Sequence, residues 1–442
     1  MNVVFISDNF EVECLAFGYL SAYLKAAGHF VRLIKTDDQI GLASLLKSRP
    51  DVLCYSVTTG YHKYYEDIHA RLCASLGSDV LGVFGGPHPT FFPSYCGPRA
   101  HAVTVRGEGF EAVVDIVNSY EKSGMVDPQI PNTNLNPLRP QIDKDTLLRP
   151  DRELMYTYES NYNNPIKNVM CSFGCMFACP YCYNEHYRKL YKGYTQTVRP
   201  LDEVYAELCE LQEYPLELVY FQDDLFPVFS SNWLVRFCRM YSSIQVPFHV
   251  QLRAEFVTDT VISQLAAVGL HGVTFAVETG DPLFRRDVLR RAQTDETILN
   301  AAKVLRRYKI RFRIENMLGA PGESAKQALT TVRLNAACKP TFGWASLFQP
   351  YPRTKLGDLA ISTGQFDGNV DRISRAFSDT YLLTTPDKHS LTRMQRLFGL
   401  AVRFKLLRWL LPVLVHLPLG WLYTKLGSWY KRFSYKYKLY NV

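Results

Sequence analysis

Short apolar runs of strand length alternate with helical patterns over two long stretches of this chain, and that alternation limits the available folds more than any single motif. In residues 1–120, NVVFIS, FVRLIK, DVLCYSV and VLGVFGG read as strands, while AFGYLSAYLKAAGH, ending at Gly28, and YYEDIHARLCASL read as helices. Across residues 165–350 the strands are KNVM, LVYFQ, FHVQLR, GVTFAVE, FRIENML and ASLFQP. Helices between them include RPLDEVYAELCELQEY, TDTVISQLAAVG and DETILNAAKVLRRY. Apolar strands separated by helices predict parallel sheets covered on both faces. The first stretch predicts a doubly wound sheet, and the second, with six strand–helix units, a partial (β/α)6 barrel; in both, ligands belong beyond the C-terminal strand ends. Between them PQIPNTNLNPLRP, residues 128–140, lacks periodicity and reads as a linker.

With 442 residues, 47% of them apolar, the chain can bury one large core or two, and its length suggests two or three domains. No charged-then-apolar leader precedes MNVVFISDN, so export is not expected and a cytoplasmic location with reduced thiols is. An odd count of 11 cysteines fits reduced thiols or metal ligands better than a disulfide framework. The net charge of +8 is uneven. From Lys388 onward there are eleven Lys or Arg and no Asp or Glu, leaving a sum of about −3 for the rest. The body shows no basic stripe, which argues against nucleic acid as a partner.

Four cysteines crowd into CSFGCMFACPYC, residues 171–182. A structural zinc site wants four N or S ligands, usually as two separated knuckles, and the next cysteines, Cys209 and Cys238, stand alone in helical patterns. Three close thiolates, Cys175, Cys179 and Cys182, with no evident fourth ligand fit an iron–sulfur cluster with one open iron. Cys171, at the end of the preceding strand, reads as a buried small residue, and Gly174 permits a tight turn into the loop. Polar residues collect at the neighbouring strand ends: Asp223 and Asp224, Arg253, Glu278, Glu315, Asn316 and Gly319 to Gly322.

The spacing CxxxCxxC with Tyr181 between the last two cysteines resembles the radical S-adenosylmethionine signature, in which three cysteines hold a 4Fe-4S cluster. The resemblance implies that the open iron takes the amino and carboxylate groups of S-adenosylmethionine, whose cleavage yields a 5'-deoxyadenosyl radical. It implies further that Asp224 or its neighbour Asp223 meets the amino group, Arg253 grips the carboxylate, and Glu278 meets the ribose or amino group. The backbone from Met317 to Gly319 would meet the adenine, beside Tyr181. LFQPYPRTKLG, residues 347–357, resembles the closing strand of that family, near the substrate opening.

In order and spacing, AFGYLSAYLKAAGHFV, PDVLCYSVTT, VFGGPHPTFFP and VRGEGFEAVVDIV resemble the cobalamin-binding domain that precedes many such enzymes. No DxHxxG string is present, so the resemblance implies cobalamin held without that histidine ligand. Candidate contacts are Ser56, Thr58, Gly85, Gly86 and His88; a histidine between two prolines also reads simply as a turn residue. Together these resemblances imply a cobalamin-dependent enzyme that methylates an unactivated carbon, with flavodoxin or ferredoxin as electron donor; a membrane-contacting C-terminal tail would make its small-molecule substrate lipid-like or otherwise apolar. Radical rearrangement or ring formation without methyl transfer stands beside it. A reading from another class is a non-catalytic zinc protein with a membrane-docking tail.

That tail is apolar and basic. From Phe398 a helical projection puts Phe398, Val402, Leu406, Trp409 and Leu410 on one face. The apolar run after Arg408 is too short and too broken by proline for a span of ~20 residues. It fits a helix lying in a membrane interface, at the inner face of the cell membrane, or one packed back on the barrel. The expected organisation is a cobalamin-binding domain at 1–125, a linker at 126–155, the barrel at 156–360 and a helical region at 361–442.

Overall fold

Residues 2–7 show how one strand serves two cores. In the computed structural model Val3 and Phe5 pack with Phe17, Leu24 and Ile116, whereas Val4 and Ile6 pack with Tyr65, Ile68 and Leu72. Successive side chains of a strand point to opposite faces, so a strand covered by helices on both sides must be apolar throughout. This is β1 (Asn2–Ser7). With β2 (Phe30–Lys35), β3 (Val52–Ser56), β4 (Leu81–Gly85) and β5 (Ala102–Thr104) it forms a parallel sheet in the order β2-β1-β3-β4-β5. Helices Leu15–Ala26 and Phe110–Ser123 supply one core, and His62–Leu76 the other. The structure describes residues 1–8, 13–77, 80–95, 101–191, 193–375 and 380–434. They divide into two units, Met1–Asn168 with Tyr187–Leu216, and Val169–His186 with Glu217–Val442.

Periodicity passes over two elements of the first unit. Helix Gln39–Ser48 buries only Leu45, and β5 has three residues, so neither writes a pattern. The Pro- and Asn-rich segment 128–140 has no helix or strand, yet it is tied to the unit. Asn132 Nδ2 donates to the carbonyls of Arg106 and Glu108 at 2.9 and 3.1 Å, and Asn134 Oδ1 accepts from the amide and hydroxyl of Thr104. Side-chain amides here do what a strand ladder does elsewhere.

The second sheet comprises β6 (Ile166–Val169), β7 (Leu218–Phe221), β8 (Phe248–Leu252), β9 (Leu270–Glu278), β10 (Arg311–Leu318) and β11 (Phe342–Leu347), in the order β11-β10-β9-β8-β7-β6. Neighbours from β7 to β11 are parallel. Side-chain caps start the intervening helices: Ser230, Thr258, Thr294 and Ser324 each accept a backbone N–H of the first turn, and Ser324 completes a capping box with Gln327. The last strand lies earlier than the expected ASLFQP, because Phe342 pairs with Arg313 and residues 348–350 have left the sheet. The α/β class and the open six-stranded architecture are those anticipated.

The C-terminal region departs from the single amphipathic face expected from Phe398 on. Helix Lys388–Arg403 stops at Phe404, whose extended backbone (φ −107°, ψ 116°) begins a second helix, Lys405–Leu414. The projected face is therefore split: Phe398 and Val402 are buried, whereas Leu406 and Trp409 are exposed. Leu391, Met394, Leu397 and Phe398 share a core cluster with Phe342, Ala345 and Leu347 of β11, and Tyr423 and Tyr430 of a third helix, Gly420–Ser434, join it. Among the described residues no helix is long and apolar enough to cross a membrane. Residues 435–442 of the basic tail lie outside the described part.

The first unit also holds a buried charge cluster. Arg152 and Glu207 are both fully buried and paired; Glu207 takes a second arginine, Arg199, at 2.6 Å, and Arg152 Nη2 donates to the Asn168 carbonyl at 2.6 Å. Burial opposes ionisation of Glu207, but Arg199 and Arg152 outweigh it and hold the carboxyl below its ordinary range. Removing the anion leaves two buried cations. Glu207→Ala should cost about 3–5 kcal/mol in urea unfolding; a loss below about 1 kcal/mol would show that the cluster is not desolvated in solution.

Candidate active site

Parallel strands deliver their C-terminal ends to one edge, and in the second unit that edge gathers the polar residues of the sequence. From β6 the chain passes Cys171 and turns at Gly174, whose φ of +79° suits a residue without Cβ. Cys171 is fully buried, in contrast to the partly exposed Cys175, Cys179 and Cys182. Asp223, just past β7, fixes this departure: it is fully buried and accepts the Cys171 amide at 3.2 Å and the Ser172 hydroxyl. Burial pushes its carboxyl up to about 7 against those bonds. Asp223 thus braces the loop, while its neighbour Asp224 is exposed and accepts from Tyr183 at 2.8 Å and from Asn184 at 3.2 Å.

Two guanidiniums flank Cys179. Arg253, past β8, places Nη1 at 3.8 Å from Cys179 Sγ and lies over the Phe177 ring at 3.7 Å, with Glu255 at 2.6 Å. Arg291 places Nη1 at 4.0 Å from the same sulfur and donates to the Tyr181 hydroxyl at 2.9 Å and the Ala276 carbonyl at 2.7 Å. Tyr181 in turn donates to Glu278 at 3.0 Å. A register shift between β9 and β10 at Ala276/Glu278 makes Val277 the extra residue, and Glu278 sits at φ +67°. A bulge followed by a left-handed non-glycine residue is a costly way to aim a carboxylate, and such strain is concentrated at functional sites.

The other candidates fall differently. Gly319 (φ +82°) spends both its backbone groups inside the protein, its N–H on Glu323 at 2.6 Å and its carbonyl on the Tyr381 hydroxyl at 2.7 Å; Met317 is 9% exposed. A Cβ on Gly319 would strike the Tyr381 ring at 2.7 Å, so packing alone accounts for the glycine. Past β11, the Leu356 amide donates to the Pro180 carbonyl at 3.0 Å and Lys355 pairs with Glu185 at 2.9 Å, fastening the closing segment to the cysteine loop. Arg291, Gln293, Glu255 and Phe177 escaped sequence reasoning. Nothing in LRRAQTD separates Arg291 from its neighbouring arginines; only the fold selects it.

In the first unit, the ends of β3 and β4 bring together Ser56, Thr58, Gly85, Gly86 and His88. Gly86 (φ +101°) is demanded by packing, since a Cβ would meet the Val57 amide and carbonyl at 2.9 Å. Gly85 is not: its nearest neighbour would be Val105 Cβ at 3.8 Å. Thr58 is exposed and Ser56 half-buried. His88, a candidate cobalamin contact that also read as a turn residue, lies in the short helix Pro87–Phe91; it is 2% exposed, with Nδ1 at 3.0 Å from the Thr59 hydroxyl and its ring stacked with His62 and Phe92.

Among the described residues no three His, Cys, Asp or Glu side chains converge on a single ion. Thiolates that each bind a different iron of a cluster need not converge on one point. Cys175, Cys179 and Cys182 are near enough to influence one another's ionisation, and burial pushes the Cys182 thiol up to about 12. Soft sulfur donors without a fourth ligand, next to cations that offset an anionic cluster, fit an iron–sulfur group. The open side of Gly85 with exposed Thr58 fits a ligand laid along the strand ends.

Comparison with known proteins agrees with this chemistry. Residues 169–334 match the family model of the radical SAM superfamily, and residues 1–117 that of the B12 binding domain. The chain is 24% identical over 343 residues to the uncharacterized methyltransferase PH0819 of Pyrococcus horikoshii, covering 73% of this chain and 72% of that one. It is 24% identical over 372 residues to the anaerobic magnesium-protoporphyrin IX monomethyl ester cyclase of Cereibacter sphaeroides, covering 76% of this chain but only 58% of the cyclase. Among solved structures, the radical S-adenosylmethionine methyltransferase TsrM of Kitasatospora setae, with cobalamin and a [4Fe-4S] cluster bound, superposes with a TM-score of 0.67 at 17% identity. The match covers 82% of this chain and 78% of TsrM. The cobalamin-dependent S-adenosylmethionine radical enzyme OxsB gives 0.63 at 16% identity, over 85% of this chain and 57% of OxsB. At these identities the structural likeness is one of fold. A B12 binding domain followed by a radical SAM domain makes the chain a member of the cobalamin-binding radical S-adenosylmethionine enzymes, whose cofactors are an iron–sulfur cluster, S-adenosylmethionine and cobalamin.

Proposed function

We propose that this enzyme transfers a methyl group to an unactivated carbon of an apolar small molecule. The observation that carries the reading is the gathering of three partly exposed thiols, Arg253 and Glu278 around Tyr181 at one sheet edge, in a chain that also has a B12 binding domain. When bound, the reduced cluster supplies the electron that cleaves S-adenosylmethionine to methionine and a 5'-deoxyadenosyl radical, and cobalamin supplies the methyl group. Cys175, Cys179 and Cys182 hold the cluster. Arg253 and Asp224 take the carboxylate and amino group of S-adenosylmethionine, each opposite in charge to its partner. Glu278, held by Tyr181 and Arg291, takes the ribose hydroxyls. Asp223 positions the loop. The Met317–Gly319 strand end offers the adenine an apolar wall rather than Gly319 hydrogen bonds, which are already made. Ser56, Thr58 and Gly85 contact cobalamin, Gly86 keeps their turn tight, and His88 supports it from within.

The electron comes from a low-potential protein donor of the flavodoxin or ferredoxin kind, and the setting is cytoplasmic. Nucleic acid is not a partner in this reading. Likeness to the cyclase favours a second reading, radical ring formation without methyl transfer. Products separate the two. Methyl transfer should form 5'-deoxyadenosine and S-adenosylhomocysteine in equal amounts, quantified by chromatography of a turnover mixture; 5'-deoxyadenosine alone would favour the second reading. Iron analysis after anaerobic purification tests the ligands. Cys171→Ser should keep its iron, and Cys175→Ser, Cys179→Ser and Cys182→Ser should each lose most of it; equal losses at all four positions would contradict the assignment. Arg291→Leu removes a buried positive charge beside Cys179, so the cluster should become harder to reduce. The expected shift is tens of millivolts negative, where ~59 mV is tenfold for one electron. Arg291→Lys should restore most of it, and an unchanged potential in Arg291→Leu would remove Arg291 from the site.

A further inference from the structure

We infer that the two helices Lys405–Leu414 and Gly420–Ser434 form a docking surface for an anionic lipid bilayer, lying in its interface without crossing it. Exposed large apolar side chains elsewhere on the described chain are scattered singly, which is ordinary. Between residues 404 and 433 they concentrate: Trp409 is 75% exposed, Leu406 69%, Trp421 64%, Trp429 63% and Val413 63%. Leu406, Trp409 and Val413 are spaced three and four apart, so they share one helix face.

This surface is held out by a fixed scaffold. Leu411 of the second helix and Tyr423 and Tyr430 of the third are buried in the core cluster of helix Lys388–Arg403. Gly427 lies so close that a Cβ there would meet the Arg396 carbonyl at 2.2 Å. With their inner faces committed, the helices cannot roll to hide the tryptophans.

Charge selects the occupant. From residue 388 onward there is no acidic side chain, and Lys405, Arg408, Lys425, Lys431 and Arg432 punctuate the exposed helices, Lys425 lying 5.2 Å over the Trp421 ring. A second copy would bring the same charge and be repelled. Nucleic acid would satisfy the cations but leave Leu406 and Val413 in water. An anionic leaflet satisfies both, with tryptophan at headgroup depth, aliphatic groups at the acyl boundary and each cation drawn to the lipid phosphates. The inference is independent of the reaction proposed above.

Three of the five tryptophans of the chain lie on this surface, so the protein carries its own reporter. Full-length, cofactor-loaded protein should sediment with vesicles that mix phosphatidylglycerol and phosphatidylcholine, and its emission should shift to the blue and be quenched by brominated acyl chains. Binding should fall at least about tenfold in Lys405→Glu/Lys425→Glu, and likewise in Trp409→Ser/Trp421→Ser/Trp429→Ser, with iron and corrin contents unchanged. Protein that stays in the supernatant, or binds neutral vesicles equally well, would overturn the inference. So would a concentration-dependent dimer abolished by the tryptophan substitutions.

Discussion

The loop bearing the three thiols leaves its sheet at a point set by one buried carboxylate. Asp223 binds the Cys171 amide and the Ser172 hydroxyl and is closed to solvent, so the loop starts from a fixed place and direction. A buried acid satisfied by two donors is costly to leave unpaired. Everything downstream, from the turn at Gly174 to the closeness of Cys175, Cys179 and Cys182, depends on that anchor.

Around it the site is organised by charge. Arg253, just past β8, and Arg291, from the loop after helix Pro282–Asp287, approach the same sulfur, and each is balanced by its own carboxylate, Glu255 and Glu278. Tyr181 links two of these groups by accepting from Arg291 and donating to Glu278. The signature aromatic is thus a hydrogen-bond relay as well as a ring. The bulge at Val277 and the left-handed Glu278 backbone show that the fold accepts local strain to keep this link.

Most strands of both sheets were legible because burial on two faces forces continuous apolar runs, as in Val3 to Ile6 and in LVYF of β7; the three-residue β5 was too short to show one. The cysteine spacing was legible because a cluster needs its donors close together. Arg291 was not, since its role comes from a loop returning across β9. Gly85 and Gly86 are indistinguishable as letters, and only the space around each separates a packing glycine from one facing open room. Asp223 and Asp224 are a similar pair, one turned inward and one outward. The break at Phe404 follows from neighbouring chain, because Val402 must reach the Gly343 backbone while Leu406 has nothing to cover it.

The central claim is a cluster held by three cysteines with one iron open to S-adenosylmethionine. Electron paramagnetic resonance of the anaerobically reduced protein, with and without S-adenosylmethionine, tests it most directly. The reduced protein should give the signal of a four-iron cluster whose g-values change when S-adenosylmethionine is added. A signal indifferent to S-adenosylmethionine, or a protein that carries zinc and gives no cluster signal, would contradict it.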